Sequence, residues 1–126
     1  MIIGIGTDII ENARVGKAIK SKHFIERVYT LREQNYCNSR GPQRTASYAA
    51  RFAGKEAFFK ALGTGIVCSL TCIEILNDEF GRPYINLIDN ALELTELIEK
   101  LNVKNIHISL SHSKDYSIAT CILENY

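Results

Sequence analysis

Apolar and polar positions change period several times along the chain, and each change predicts an element. Residues 2–6 are a short apolar run broken by Gly4 and Gly6, which fits a buried strand; Gly6-Thr7-Asp8 would end it, with Asp8 at the exit. Val15, Ala18 and Ile19 predict a first helix near residues 11–20, and Phe24, Ile25 and Val28 a second over about 22–28. The polar stretch from Leu31 to Arg44 contains Gly41-Pro42 and reads as a short helix followed by a loop. A long helix then runs from about Thr45 to Leu62. Residues 71–77 alternate, Gly81-Arg82-Pro83 is a turn and Tyr84–Ile88 a strand, so this pair predicts a hairpin. Asp89 or Asn90 can cap a helix carrying Ala91, Leu94, Leu97, Ile98 and Leu101. His107–Ser111 alternates as a strand, and the turn His112–Asp115 leads to a last strand, Tyr116–Leu123. The whole is α+β: a mostly antiparallel sheet packed against one long central helix.

That helix carries an anomaly. Ala46, Ala50, Ala53, Gly54, Ala57 and Ala61 share one side, a row of small residues that lets a helix lie close to a neighbour. Tyr48, Phe52 and Phe59 cluster elsewhere, with Phe58 near the alanine side, so little room remains for a solvated face. Glu56 and Lys60 stand at (i, i+4) spacing on the edge between them. A surface pair of this kind is worth only a few tenths of a kcal/mol. Charges in apolar surroundings are costly unless paired or engaged with a metal or ligand.

Composition narrows the function classes. The 126 residues read as one domain, 1–126, without repeat, low-complexity segment or linker. A net charge of +1 gives no global case for nucleic acid or an anionic membrane, and no apolar run approaches the ~20 residues that span a bilayer. The N-terminus lacks a signal-type charged region, so a cytoplasmic protein is expected. Four cysteines (Cys37, Cys68, Cys72 and Cys121) show no CxxC pair and no zinc spacing, and are expected to be reduced thiols. Basic residues are dense only from Arg14 to Arg27, with Lys17, Lys20, Lys22 and His23 between, which suggests an acidic partner.

Candidate chemistry starts from Asp8 and Glu56. If the long helix crosses the first strand, the two carboxylates share a site, and without a nearby His or Cys they favour Mg²⁺ over Zn²⁺. Lys60, Lys55 and Arg51 would then meet phosphate oxygens. Other motifs carry less. Ser111 and His112 are adjacent on one strand and point to opposite faces, and no Gly-x-Ser-x-Gly elbow exists, which disfavours a triad. Gly4-x-Gly6 lacks the third glycine of a dinucleotide fingerprint, and Gly63-Thr64-Gly65 lacks the lysine context of a P-loop. Gly63 also suits a helix stop.

Three segments stand out: Gly4-Ile5-Gly6-Thr7-Asp8, the run from Arg51-Phe52-Ala53-Gly54-Lys55-Glu56 through Lys60 to Gly63-Thr64-Gly65, and Ser109-Leu110-Ser111-His112. Together they resemble the holo-acyl-carrier-protein synthase family of the 4′-phosphopantetheinyl transferase superfamily. The likeness spans essentially the whole chain. Gly54 stands where alanine or another small residue is commoner, and residues 89–104 match no motif. The resemblance implies that fold, and transfer of phosphopantetheine from coenzyme A to a serine of apo-acyl-carrier protein in support of fatty acid biosynthesis. It implies Asp8 and Glu56 as Mg²⁺ ligands, with Glu56, directly or through a water, taking the serine proton, and Lys60 neutralising phosphate charge. Arg51, Gly63, Thr64, Gly65, Ser111 and His112 would line the coenzyme A cleft. Arg14, with Lys17 and Phe24, would grip the carrier protein. A homotrimer with sites at subunit boundaries is implied as well. From the residues alone, two other readings compete: a Mg²⁺-dependent nucleotide or pyrophosphate hydrolase, and a non-catalytic module that binds an acidic protein.

Overall fold

A computed structural model describes residues 1–88 and 91–126. The elements are β1 (Ile2–Glu11), α1 (Asn12–Ala18), α2 (Lys22–Val28), α3 (Leu31–Asn38), α4 (Arg44–Leu62), β2 (Ile73–Asn77), β3 (Pro83–Leu87), α5 (Leu92–Lys100), β4 (Asn105–His112) and β5 (Tyr116–Glu124), with 3₁₀ turns at Gly41–Gln43 and Leu70–Cys72. The α+β expectation holds, but the strands divide into two antiparallel sheets, a three-stranded one ordered β1-β5-β4 and the hairpin β2-β3. Helix α5 carries the predicted apolar face, with Leu94 buried; the proposed caps Asp89 and Asn90 lie outside the described residues.

Strand β1 is longer than its local signal. Gly6-Thr7-Asp8 predicted an end, yet the strand continues to Glu11 because β5 offers backbone partners along its whole length, from Ile2 opposite Glu124 to Glu11 opposite Tyr116. A long-range ladder overrides a local turn signal. The inner face of β5 contributes Ala119, Cys121 and Leu123 to the core, where they meet Ala53, Ala57, Phe58 and Ala61 of α4. Full burial of Phe58 and Phe59 contributes roughly 2–3 kcal/mol each.

The approach of α4 to the sheet is set by missing side chains on both elements. A Cβ on Gly4 would overlap the carbonyl oxygen of Ala61, and one on Gly6 that of Ala57. On the helix, a Cβ on Gly54 would collide with Ile75 and come within 3.2 Å of Leu110. The row of small residues therefore packs as its spacing predicted. Gly63 ends α4 with φ 78°, a left-handed conformation suited to glycine, and its N–H donates to the carbonyls of Phe59 and Lys60.

Two further expectations are corrected. Lys55 is no phosphate contact: it is fully buried and donates to Glu33 Oε1 at 2.6 Å, the Val28 carbonyl at 2.5 Å and the Leu70 carbonyl at 2.9 Å. Glu33 in turn accepts from the Ile75 N–H and, in a capping box with Thr30, starts α3. Desolvation pushes the Lys55 ammonium below its usual pKa, opposed by the Glu33 charge. The second correction concerns the thiols. Cys68 and Cys72 are joined as a disulfide, because the 3₁₀ turn folds the chain until their Cα atoms are 6.4 Å apart. Cys37 and Cys121 are the buried free thiols.

Candidate active site

On β1, Gly4, Gly6, Asp8 and Ile10 point to one face, and Gly4 and Gly6 lie directly beneath α4. Asp8 is thus the first functional side chain on the strand's helix-facing side. It sits in mid-strand opposite Ala119, not at the strand's exit, and β1 is an edge strand, with β5 in the centre. Lys60 crosses from α4 to this point, its Nζ donating to Asp8 Oδ1 at 3.1 Å and to the Thr7 carbonyl at 3.0 Å. The lysine side chain is 54 % exposed and the aspartate 18 %, so solvent reaches the pair.

The Glu56–Lys60 pair suggested by spacing is not formed. Glu56 has no hydrogen bond or ion pair among the described residues. Partial burial raises its pKa above the ordinary carboxylate value; the nearby Asp8 charge adds to this, and Lys60 offsets it in part. Two carboxylates are thereby held close with one lysine for both, and one of them lacks a partner. Such an oxygen donor pair fits a hard divalent cation that takes its remaining ligands from water or phosphate. No cluster of three or more His, Cys, Asp or Glu with metal-binding geometry exists among the described residues.

The other predicted residues do not join this pair within one chain. Arg51 is buried, donating to the Ile75 carbonyl at 3.1 Å, to Ser47 Oγ at 3.2 Å and to Asn77, with its guanidinium 4.3 Å from the centre of the Tyr36 ring. It faces a cavity of about 180 Å³ shared with Arg40, Asn77 and His112. His112 bonds Gln43 through Nε2 at 3.1 Å and also borders a cavity of about 720 Å³ among Glu11, Thr45, Lys114 and Asp115. Ser111 lies on the other face of β4, opposite exposed Ile118. Gly63, Thr64 and Gly65 follow the far end of α4, twelve residues or about 18 Å along the axis from Arg51.

Of the partner candidates, Phe24 lines a cavity of about 600 Å³ with His23, Arg27, Phe52, Ile66 and Leu70. Its ring stacks on Phe52 at 6.2 Å between centroids. Arg14 and Lys17 are exposed on α1, outside that lining. Ile66, Arg40 and Asn77 join these linings without any sequence signal. No local spacing links them to Phe24 or Arg51; only the packing of distant segments does.

The model of the 4′-phosphopantetheinyl transferase superfamily matches residues 4–121. The chain is 45% identical to the holo-[acyl-carrier-protein] synthase of Fusobacterium nucleatum, over 98% of this chain and 99% of that protein. Among solved structures, it is similar to the Neisseria meningitidis holo-[acyl-carrier-protein] synthase, with a TM-score of 0.87 and 33% identity over 98% of this chain and 99% of the other. The Bacillus anthracis enzyme, solved in complex with coenzyme A (3′,5′-ADP), matches with a TM-score of 0.82 and 37% identity over 100% and 99%. With a glycine-packed strand and helix presenting Asp8, Glu56 and Lys60 together, and with these likenesses along its whole length, the chain belongs to the holo-[acyl-carrier-protein] synthases of the 4′-phosphopantetheinyl transferase superfamily.

Proposed function

We propose that the chain, as a single domain, transfers the 4′-phosphopantetheine group of coenzyme A to a serine of apo-acyl-carrier protein and releases adenosine 3′,5′-bisphosphate. The observation that carries this reading is the half-buried, unpartnered Glu56 beside Asp8, with Lys60 bridging strand and helix. Asp8 and Glu56 would hold Mg²⁺, which when bound supplies charge neutralisation at the pyrophosphate. Glu56, directly or through a water, takes the proton of the attacking serine hydroxyl. The serine oxygen bonds to the phosphorus that carries pantetheine, and the bond from that phosphorus to the bridging oxygen breaks. Lys60, whose ammonium is half-exposed, neutralises charge on the departing bisphosphate.

Coenzyme A recognition falls to Arg51, near the middle of α4, with His112 on the same cavity, and to the Gly63–Gly65 turn past the end of the helix. Their separation leaves the cleft incomplete in one chain, and we propose that neighbouring copies complete it in a homotrimer. The outward face of the three-stranded sheet supports this reading, since it exposes Ile3, Ile5, Ile9 and Ile118. Ser111 lies on that face and would meet a coenzyme A bound at the boundary. The carrier protein docks on the basic stretch of α1 and α2, Arg14 and Lys17 meeting its acidic residues and the Phe24 cavity an apolar side chain. The reaction belongs to the cytoplasm and to fatty acid biosynthesis.

Incubation of apo-acyl-carrier protein with coenzyme A, Mg²⁺ and the enzyme, followed by mass spectrometry, tests the reading. A phosphopantetheine adduct on the serine is expected, abolished by chelator and restored by Mg²⁺. Coenzyme A cleavage without an adduct would overturn transfer in favour of hydrolysis. Arg14→Ala should raise the KM for carrier protein several-fold at unchanged kcat; an unchanged KM removes Arg14 from the docking surface.

A further inference from the structure

The segment between α4 and β2 is held differently from the rest of the chain. Residues 64–68 make no backbone–backbone hydrogen bond to any described residue, and the anchors lie farther on, where Cys72 N–H donates to the Ser69 carbonyl and Lys55 to the Leu70 carbonyl. The Cys68–Cys72 disulfide ties the unbonded part to this anchored end. A ring this short removes little loop entropy from the unfolded chain, so its main consequence is local. Locally it fixes a wall: Cys68, Ser69, Leu70 and Ile66 line the cavity that also holds Phe24 and Arg27.

We infer that Cys68 and Cys72 form a reversible dithiol–disulfide modification site on the wall of the carrier-protein cavity, with low-molecular-weight disulfides as the oxidant. The inference rests on the reading of that cavity as the carrier-protein dock. Disulfides in a reducing cytoplasm are characteristically transient and redox-sensing. Access favours Cys68 as the attacking thiol: it is half-buried, whereas Cys72 is 5% exposed and Cys37 and Cys121 are fully buried. Burial also pushes the Cys121 thiol up to about 12, which leaves almost no thiolate to react. In the oxidising direction the Cys68 thiolate attacks one sulfur of the small disulfide, forming a mixed disulfide and expelling one thiolate. The Cys72 thiolate then attacks Cys68 Sγ, closing the intramolecular bond and expelling the second. Two cysteine thiols are oxidised, one small disulfide is reduced to two thiols, and a dithiol reverses the exchange. The closed form holds Ile66 and Leu70 in place before the partner arrives, which lowers the cost of docking. Asp8, Glu56 and Lys60 stand on other elements, so kcat at saturating coenzyme A is unaffected.

The enzyme is equilibrated with glutathione and glutathione disulfide at a series of ratios, acid-quenched, unfolded, alkylated and mapped by peptide mass. Cys68 and Cys72 should lose alkylation together as the ratio turns oxidising and regain it with dithiothreitol, while Cys37 and Cys121 alkylate throughout. Alkylation of Cys68 and Cys72 at every ratio overturns the site. In the kinetic arm, the reduced enzyme and Cys68→Ser should both show a KM for carrier protein about threefold to tenfold above that of the oxidised enzyme, at unchanged kcat. Phe24→Ala separates the two possible failures. If it raises KM while the redox state does not, the proposed effect of the disulfide is wrong and the dock stands; if neither changes KM, the dock is wrong and the effect falls with it.

Discussion

Arg51 and Lys55 on one side of α4, and Glu56 and Lys60 on another, are two (i, i+4) charged pairs in the same helix, rotated from each other by about 140° at 100° per residue. The first side faces protein. Arg51 is bonded to β2 and Ser47, and Lys55 joins α4 to the end of α2, to α3 and to the turn before β2. The second side faces β1 and solvent, where Lys60 has one carboxylate and one carbonyl and Glu56 has no partner among the described residues. On the enclosed side both cations are engaged within the fold, Lys55 by the Glu33 carboxylate and Arg51 by neutral oxygens and the Tyr36 ring. On the open side charge is left over, and that surplus is what a cation and a pyrophosphate can use.

Substitutions separate the two sides, and the largest effect belongs to the open one. Glu56→Ala should lower kcat/KM about a thousandfold, comparable to removing a principal electrostatic contact at a reacting centre. Its urea midpoint should stay level, because the parent carboxylate has no partner to lose; a large loss of stability would make Glu56 structural. Next comes the enclosed side. Lys55→Met leaves the buried Glu33 carboxylate uncompensated and should cost about 3 kcal/mol in urea unfolding. The double variant Lys55→Met/Glu33→Gln should recover part of that loss, and additive costs would show that the two do not act as a pair. Lys60→Ala should reduce kcat about a hundredfold. Its exposed ion pair with Asp8 limits the stability change to less than about 1 kcal/mol.

The smallest effect concerns the interior beneath both sides. Cys121 packs against α4, and burial raises its thiol pKa to about 12. Between the ordinary thiol value and that one, the folded state keeps a proton that the unfolded state releases, so stability falls as pH rises. Its contribution is at most about 1.4 kcal/mol per pH unit. Cys121→Ala should flatten the alkaline limb of a stability–pH curve measured by urea unfolding; an unchanged slope would mean that the thiol ionises in the folded protein.

Much of this was legible in the residues. The small-residue side of α4 and its stop at Gly63 follow from local spacing, as do the hairpin and the opposite faces of Ser111 and His112. The motifs around Asp8 and Glu56 named the family. Less legible was anything decided by a distant neighbour. Lys55 and Lys60 are alike in sequence, and only the presence of Glu33 on α3 and Asp8 on β1 assigns one to the interior and the other to the site. The end of β1 was misplaced for the same reason, since β5 supplies its partners more than a hundred residues later. The wall of the Phe24 cavity assembles α2, α4 and the segment before β2.

By itself, then, the sequence determined the elements, the close contact between a glycine-bearing strand and an alanine-bearing helix, and the kinds of group that contact would present. Periodicity and side-chain size act over a few residues, so a single chain carries that information openly. Tertiary structure alone decided which charges are spent inside the fold, which cysteines meet, and which carboxylate is left unpaired. Those outcomes depend on desolvation and on partners brought from far along the chain, and neither has a local signature.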